Sequence, residues 1–355
     1  MSFVGSALLG CRRASARRLV GFRAISSCVL ARVARATTPG KSPAAARKGW
    51  PHIALLLFAT AISAPAATFY LTISGLGGEP DYDQRFKMWA EDIDSSLKRA
   101  GGDANITTLP AATRDQIRSK LGEIARQAKP EDAFVLMLIG HGAFDGTEYK
   151  FNIPGPDITG TELAALLDKI PAARQLVVNM TSCSGGSISF LQRKNRVVIT
   201  ATKTGTEKNA TVFARYWAEA LREPAADADK NDTVSALEAF HYAQRKTTEF
   251  FDSQKRLATE HSVLEDTGKG EGERTPSAEN GEGRLASVFP VVHMGANAAA
   301  ARDPKKRPLL DKKEQLEEAI DKLKYDKAAL PEQEYKKQLN TLLLELAKTQ
   351  EELDK

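Results

Sequence analysis

The sequence of 355 residues is long enough for one large domain, or for one domain with appendages. Hydrophobic residues make up 42% and charged residues 27%, proportions that are ordinary for a globular protein. The formal net charge is +5, but residues 1–78 contain ten Arg and Lys and no Asp or Glu, so the rest of the chain has a balance of −5. A mildly acidic body lacks the basic surface on which nucleic-acid binding depends, so the composition argues against that class of protein.

The first 66 residues are predicted to be a targeting region. Within residues 47–66, a basic pair precedes the short apolar run His52–Ser63, and the small residues at 64–66 fit the site that a signal peptidase cleaves. Residues 1–45 either form a transit peptide, whose Arg- and Ser-rich composition they share, or extend upstream of the true start. The pattern predicts export to the periplasm or the extracellular space, whereas an uncleaved segment would anchor the protein in a membrane.

Cleavage near Ala66 removes two of the three cysteines, Cys11 and Cys28, together with the leader. Cys183 is then the single cysteine of a mature protein in an oxidising compartment, where it has no partner for an internal disulfide. Such a thiol is either buried and inert or reactive because its surroundings activate it.

Beyond the leader, predicted strands and helices alternate along the chain. Runs of β-branched and apolar residues predict strands, and apolar residues spaced by three and four predict helices, two of which begin at capping patterns on Thr113 and Thr159. The strands are predicted at 68–74, 104–109, 133–140, 174–180, 196–202 and 287–292. This alternation predicts an α/β fold with a central, mostly parallel sheet that is flanked by helices and joined by right-handed crossovers.

The predicted domain spans residues 67–297 and is followed by a helical appendage at 298–355. Inside the domain, residues 266–284 contain no apolar residue suited to a core and are predicted to be a flexible loop. Residues 305–355 contain two heptad-like patterns that meet near Leu330-Pro331, which predicts a helical hairpin or a short coiled coil. This hairpin either packs on the domain, recruits a protein partner or stays solvated.

Two of the predicted strands end next to residues that are suited to catalysis. His141 follows the strand at 133–140, and Cys183 follows the strand at 174–180. Because parallel strands present their carboxyl ends at one edge of a sheet, these side chains can be neighbours in space. An adjacent imidazole stabilises the thiolate, which is the nucleophilic form of cysteine. The N–H groups of Gly142 and Cys183 are candidate donors to the oxyanion that forms in acyl transfer.

The stretches "LIGHG" (138–142) and "NMTSCSGGS" (179–187) resemble the cysteine peptidase clan that contains caspases and legumains, and most closely its bacterial legumain-like members. The likeness extends from Phe69 to Val292. It implies a caspase-like sandwich and an endopeptidase in which Cys183 attacks a peptide carbonyl, His141 protonates the leaving amine and a thioester forms. Legumains favour Asn, and to a lesser extent Asp, before the scissile bond.

The resemblance also implies where a substrate binds. Arg85, in "DYDQRF", falls where the family places basic side chains of the specificity pocket, and Thr202 and Thr204 lie in a loop that lines the same pocket. Catalysis is expected to need no cofactor, and the expected partner is a peptide or protein substrate. Two alternatives remain beside a peptidase: a transamidase, as some relatives are, and a non-catalytic binding or scaffold protein on the same fold.

A second site is predicted in "DADKNDTVSALE" (227–238), which fits the template of a calcium-binding EF-hand loop. Position six, where the template has Gly, contains Asp232, a residue type that tolerates left-handed backbone better than most. The alternative is an acidic loop that caps the helix predicted at 233–251. A bound ion would be structural, because oxygen ligands tie down a loop without affecting the thiol. The predicted ligands are Asp227, Asp229, Asn231, the carbonyl of Thr233, Ser235 and Glu238.

Overall fold

The computed structural model describes residues 66–101, 105–279 and 281–355. Apart from its last residue, Ala66, the predicted signal peptide lies outside the described residues, as does the segment before it. Within the described part of the chain, no helix is both long enough and apolar enough to cross a bilayer.

The secondary structure alternates between strands and helices from Thr68 onwards. The strands are β1 (Thr68–Ser74), β2 (Ile106–Pro110), β3 (Ala133–Ile139), β4 (Gly142–Phe144), β5 (Tyr149–Phe151), β6 (Ile158–Thr159), β7 (Arg174–Asn179), β8 (Arg196–Thr200), β9 (Thr233–Ser235), β10 (Val263–Glu265) and β11 (Pro290–His293). The helices are α1 (Pro80–Ala100), α2 (Arg114–Gln127), α3 (Gly160–Leu167), α4 (Ile188–Leu191), α5 (Phe213–Ala220), α6 (Ala236–Ser253), α7 (Arg284–Ser287), α8 (Gly295–Arg302), α9 (Arg307–Tyr325) and α10 (Glu332–Leu353), with 3₁₀ turns at Ser184–Ser187 and Asp326–Ala329.

The central sheet has six strands in the order β10-β8-β7-β3-β1-β2. All neighbouring pairs are parallel except β10 with β8, which is antiparallel and forms one edge. The predicted α/β fold with a mostly parallel central sheet is therefore confirmed. Every residue of β3 is buried, as its unbroken apolar sequence predicts for a strand that is covered on both faces.

The sheet separates two apolar layers, because successive side chains of a strand point to opposite faces. From β3, Val135 and Met137 pack with residues of α1, α5 and α6. Phe134 and Leu136 join the opposite layer, which contains residues of α2 and α3. Helices thus cover both faces of the sheet and leave its carboxyl edge to present side chains.

Two edge strands differ from the sequence prediction. The strand predicted at 287–292 forms at Pro290–His293, where it follows the short helix α7 and pairs with β9 in a separate two-stranded sheet. The last strand of the central sheet is instead β10, which sequence reasoning missed. A strand of three residues is too short for a hydrophobic period to be recognised.

The segment predicted to be a flexible loop is fastened to the domain at several points. Backbone hydrogen bonds join Leu264 and Glu273 in both directions, at 2.9 and 2.8 Å. The carboxylate of Asp266 accepts the N–H groups of Gly283 (2.9 Å) and Leu285 (2.8 Å), around the start of α7. Hydrogen bonds thus replace the apolar contacts that the composition of this segment does not offer.

The C-terminal helices α9 and α10 pack against each other and are joined where the sequence predicts a hinge. Helix α9 also contacts the domain, since Arg307 donates to the carbonyl of Ala66 (3.2 Å) and the His293 ring lies 2.6 Å from the Glu314 carboxylate. Of the alternatives for the hairpin, the structure shows packing on the domain. The buried apolar residues of α9 are Leu310, Leu316, Ile320 and Leu323.

Candidate active site

The two predicted reactive residues leave the sheet at the same edge. Strands β3 and β7 are parallel neighbours, with Leu138 paired to Asn179. His141 lies three positions beyond this pair on one strand, and Cys183 lies four positions beyond it on the other. The fold therefore brings the His141 and Cys183 loops together, as the strand pattern predicts.

The two loops are joined directly through Gly142 and Ser182. The Gly142 N–H donates to the Ser182 hydroxyl oxygen (3.0 Å), and the same hydroxyl donates to the Gly142 carbonyl (3.1 Å). A Cβ atom at position 142 would lie 2.6 Å from the Ser182 carbonyl oxygen, so this approach requires glycine. The residue after His141 is thus held against the residue before Cys183.

The His141 ring is half-buried and oriented by its neighbours. Its edge contacts the rings of Tyr82 and Phe86 at centroid distances of 5.0 and 5.1 Å, both near-perpendicular. Burial lowers the pKa of His141, while a hydrogen bond to the Gly77 carbonyl and the charges of Asp83 and Glu79 oppose this change. The net effect favours the neutral imidazole, which can accept a proton.

The Gly77 carbonyl that orients His141 is a partner that sequence reasoning missed. The Gly77 N–H donates to the Asp83 carboxylate at 2.6 Å, which ties the turn after β1 to the first turn of α1. A Cβ atom at position 77 would clash with the backbone of Asp83, so a side chain there would displace the carbonyl. A backbone acceptor leaves no side-chain signature, although the run "GLGG" marked a tight turn.

Cys183 sits in a strained turn with its side chain buried. Its backbone is left-handed (φ 56°, ψ 11°), a conformation that is unfavourable for a residue with a Cβ atom and that is often found at functional sites. Burial raises the pKa of the thiol, whereas a hydrogen bond from the Phe144 backbone and the charge of Lys208 lower it. The thiol is therefore held in its protonated form at rest.

Strand β4 links this thiol to the histidine loop, because it begins directly after His141 and ends at Phe144. The Phe144 N–H is directed at the sulfur, and the Phe144 ring occupies the space above Gly186 and Gly205. A Cβ atom at position 186 would lie 2.7 Å from this ring. Glycine at position 186 is thus required by the close packing of Phe144.

The two predicted oxyanion donors already donate hydrogen bonds inside the protein. The Cys183 N–H donates to the carbonyl oxygen of Glu207 at 2.8 Å. The Gly142 N–H donates to Ser182, as described above. In this arrangement neither N–H is free to donate a hydrogen bond to a substrate oxygen.

The two threonines predicted to bind substrate lie in different surroundings. Thr202 is fully buried, and its hydroxyl accepts the Gly185 N–H (2.9 Å) and lies 3.2 Å from the Ser184 hydroxyl. It therefore supports the turn at Cys183 and does not line an open pocket. Thr204 is exposed, and its hydroxyl lies 2.7 Å from that of Thr206.

Arg85 is exposed on α1 and lies over the Tyr82 ring, 5.5 Å from its centroid. It lines a cleft of about 810 Å³ together with three further arginines, Arg215, Arg222 and Arg256. The carboxylates of this lining have partners of their own: Asp92 pairs with Arg222 at 3.1 Å, and Glu219 accepts the Tyr242 hydroxyl at 2.6 Å. Among the described residues, no carboxylate lies within ion-pair distance of the other three guanidinium groups, so the cleft favours anionic or amide groups.

Sequence reasoning also missed two acidic residues, Glu207 and Glu260, whose carboxylates accept backbone N–H groups. The Glu207 carboxylate accepts the N–H groups of Lys203 (3.2 Å) and His261 (3.0 Å) and lies 3.1 Å from the His261 ring nitrogen Nδ1. Glu260 is buried and accepts the N–H groups of Val212 (2.8 Å) and Phe213 (3.3 Å) at the start of α5. For Glu260 the available signal was the acidic stretch "ATEHSVLED" (258–266).

The acidic loop at 227–238 brings three of its predicted calcium ligands together. Oxygens of Asp227, Asp229 and Glu238 all lie within 4.8 Å of one another. Burial raises the pKa of Asp229, as does the charge of Glu238. A cation would relieve this repulsion, and Asp232 has the left-handed backbone (φ 64°) that position six requires. These residues fit a hard cation.

Two of the remaining predicted ligands of this loop, Asn231 and Ser235, already make hydrogen bonds within it. The Asn231 side-chain oxygen accepts the Thr233 N–H (2.8 Å), and the Ser235 hydroxyl donates to Glu238 (2.8 Å). Ser235 and Glu238 together form a capping box on α6, which is the alternative function predicted for this loop. The Lys313 ammonium lies 3.4 Å from the Asn231 carbonyl, which places a positive charge beside the loop.

Comparisons with known proteins show only distant similarity. No protein-family model and no curated protein sequence matches the chain. Caspase-1 from Spodoptera frugiperda is similar with a TM-score of 0.42 and 13% identity, over 57% of this chain and 87% of that one. Protein GSU0716 from Geobacter sulfurreducens gives a TM-score of 0.39 and 15% identity, over 59% and 95%. The Drosophila initiator caspase Dronc gives 0.37 and 14%, over 60% and 88%.

Proposed function

We propose that this protein is a cysteine endopeptidase of legumain type, with Cys183 as nucleophile and His141 as acid and base. The observation that carries the proposal is the pair of hydrogen bonds between Gly142 and Ser182, which holds the His141 and Cys183 loops together. The Phe144 backbone gives further support, because its hydrogen bond lowers the pKa of the thiol against the effect of burial. An inert buried cysteine requires neither feature.

The proposed reaction transfers an acyl group through a thioester. His141 accepts the thiol proton as the Cys183 sulfur attacks the peptide carbonyl, whose oxygen becomes an oxyanion. When this intermediate collapses, the C–N bond breaks and the leaving amine takes the proton from His141. Water then adds to the thioester, the acid is released and the thiol is restored. The lowered pKa of His141 keeps the ring neutral and ready for the first step.

The proposed substrate has Asn or Asp before the scissile bond. Arg85 and the unpaired Arg215 and Arg256 supply guanidinium groups that bind carboxylate or amide oxygens. The cleft also contains Tyr82, whose ring contacts His141, so a substrate bound there lies next to the reacting groups. The signal-peptide pattern at 47–66 supports a periplasmic or extracellular location.

Labelling with a fluorescent peptide acyloxymethyl ketone that ends in Asn or Asp tests this proposal. The wild-type protein should be labelled, and Cys183→Ala should not, although it retains Cys11 and Cys28 in the unprocessed chain. Cys183→Ser provides a matched control for packing. Absence of labelling of the folded wild type from about pH 4 to about pH 8 would contradict a peptidase and favour the scaffold alternative. A transamidase is distinguished by adding a peptide amine and measuring ligated product against hydrolysed product.

A further inference from the structure

The Glu207 carbonyl accepts the hydrogen bond of the Cys183 N–H, a donor that the proposed reaction needs. The Cys183 N–H donates to this oxygen at 2.8 Å. During acyl transfer, the amide of the nucleophile is well placed to stabilise the charge that develops on the substrate carbonyl oxygen. One N–H makes one strong, linear hydrogen bond, so the Glu207 oxygen and a substrate oxygen compete for it.

Side-chain contacts of Glu207 hold its carbonyl in this position. Its carboxylate accepts the N–H groups of Lys203 and His261 and lies 3.1 Å from the His261 ring. The Glu207 N–H donates to the Thr204 carbonyl at 3.4 Å, which closes the loop on itself. Glu207 is mostly buried, with 18% of its side chain exposed. The Glu207 carboxylate is therefore one of the groups that fasten this loop, beside the Thr202 hydroxyl, which donates to the Thr204 carbonyl.

The same segment continues into the arginine cleft. Residues 209–212, which begin two positions after Glu207, line the cleft beside Arg85 and Arg215. A peptide that occupies the cleft contacts this segment. One stretch of chain thus joins the cleft to the residue whose carbonyl accepts the Cys183 N–H.

We infer that Glu207 is a positioning residue that keeps the Cys183 amide away from substrate until the loop at 203–209 moves. The inference rests on the proposed function, because it concerns the oxyanion of the same reaction. Loosening the loop should accelerate acyl transfer. It should leave the limiting alkylation rate of the fully ionised thiol at high pH unchanged, because displacement of iodide from iodoacetamide by the thiolate forms no oxyanion.

The test compares these two reactions in Glu207→Ala and Glu207→Gln. Glu207→Ala removes the acceptor that fastens the loop, and the kcat for an Asn-containing fluorogenic peptide should rise about tenfold or more. Its limiting rate of alkylation by iodoacetamide at high pH, measured at Cys183 by mass spectrometry, should stay within about twofold of wild type. Glu207→Gln retains a side-chain oxygen for the two N–H donors and should behave as wild type. Glu271→Ala, which removes an exposed carboxylate from another loop, is the matched control.

His261→Ala offers a second way to loosen the loop at 203–209 if Glu207→Ala does not fold. It removes the ring contact and keeps the backbone N–H donor, so a smaller rise in kcat is expected. If kcat stays level or falls in every folded variant while alkylation is unchanged, the inference is wrong and the Glu207 carbonyl supports the active state. The proposed function fails in a different way: neither wild type nor any variant would then show hydrolysis that Cys183→Ala abolishes.

Discussion

Burial acts in opposite directions on the two reactive side chains. It raises the pKa of the Cys183 thiol and lowers the pKa of His141, so both groups are neutral at rest. Proton transfer from sulfur to imidazole must then accompany attack on the substrate. The charge of Lys208 and the Phe144 N–H partly offset the cost of forming the thiolate.

This resting state has a measurable pH dependence. Because the folded thiol has a raised pKa, the rate of iodoacetamide alkylation at Cys183 should increase with pH through and beyond the ordinary thiol range. Lys208→Ala removes a charge that favours the thiolate, so its profile should shift to higher pH, whereas Lys208→Arg should match wild type. A plateau of full reactivity at acidic pH would indicate a preformed ion pair and contradict this assignment.

Thr202 contributes to the stability of the turn at Cys183. Thr202→Val keeps the shape of the side chain but leaves the partly buried Gly185 N–H without its acceptor. We expect the free energy of unfolding to fall by about 1–3 kcal/mol, as measured by urea denaturation. Thr204→Val, two residues away and exposed, should be close to neutral. Equal effects of the two substitutions on the KM, without a change in stability, would instead support the pocket role predicted from the sequence.

The side chains of the site could be predicted from the sequence, but their supporting partners could not. His141 and Cys183 were recognisable because each ends a buried strand and is followed by glycine or other small residues. The Gly77 carbonyl, the Phe144 N–H and the Glu207 carbonyl are backbone groups that any residue type offers. Only the folded chain identifies which of them reach the reacting atoms.

At the scale of elements, the buried carboxylate of Glu260 accepts the N–H groups at the start of helix α5 and has a raised pKa. Burial raises the pKa of Glu260 from its ordinary value of 4.5 to about 7, against the two N–H donors of Val212 and Phe213, with a further rise from the charge of Glu207. Between these two values the folded state binds more protons than the unfolded state. Stability therefore falls as pH rises from about 4.5 to about 7 and changes little above that range.

Glu260→Gln tests this dependence because it keeps an oxygen acceptor and removes the ionisation. Relative to this variant, wild type should lose on the order of 3 kcal/mol of stability as the pH is raised from about 4 to about 8. The measurement is the difference in unfolding free energy from urea titrations at each pH. Glu271→Gln, at an exposed position, should change in parallel with wild type. A constant difference between wild type and Glu260→Gln across the range would show that Glu260 titrates normally.

For the acidic loop, a structural calcium ion and a helix cap predict different outcomes. Glu238→Gln preserves the capping box with Ser235, because glutamine also accepts the N-cap N–H, but it removes one of three converging charges. If calcium binds, the melting temperature of wild type should rise with calcium and fall with EDTA, and the variant should lose that response. Calcium-independent melting of wild type would leave the cap as the function of this loop.

Long elements could be predicted from the sequence, whereas short edge elements could not. Helix α1 is long enough for a clear helical period, and strand β3 is an unbroken apolar run. Helix α2 begins at the capping box predicted at Thr113. Strand β10 has three residues, and its place at the edge of the sheet depends on pairing with β8. Strand β11 has a strand-like sequence but pairs with β9, because strand partners are determined by tertiary packing.

At the scale of the whole molecule, the C-terminal hairpin is part of the folded unit. Helix α9 is tied to both ends of the domain, through Arg307 to Ala66 at the start of β1 and through Glu314 to His293 at the end of β11. The Lys306 ammonium donates to the Leu353 carbonyl (2.7 Å), which fixes the end of α10 against the start of α9. Heptad spacing predicted the hairpin, but it could not show which face meets the domain.

A substitution of Leu310 tests whether the hairpin and the domain unfold together. Leu310 is fully buried where α9 meets α8 and the end of α10. Leu310→Ala should lower the unfolding free energy by about 2–5 kcal/mol, owing to the lost apolar contact and the cavity that remains. Thermal unfolding should stay a single transition, and Cys183-dependent hydrolysis should disappear at the same temperature. Leu344→Ala on α10, where the side chain is 64% exposed, should have little effect. Two separate transitions, with hydrolysis retained after the first, would show instead that the hairpin folds independently of the site.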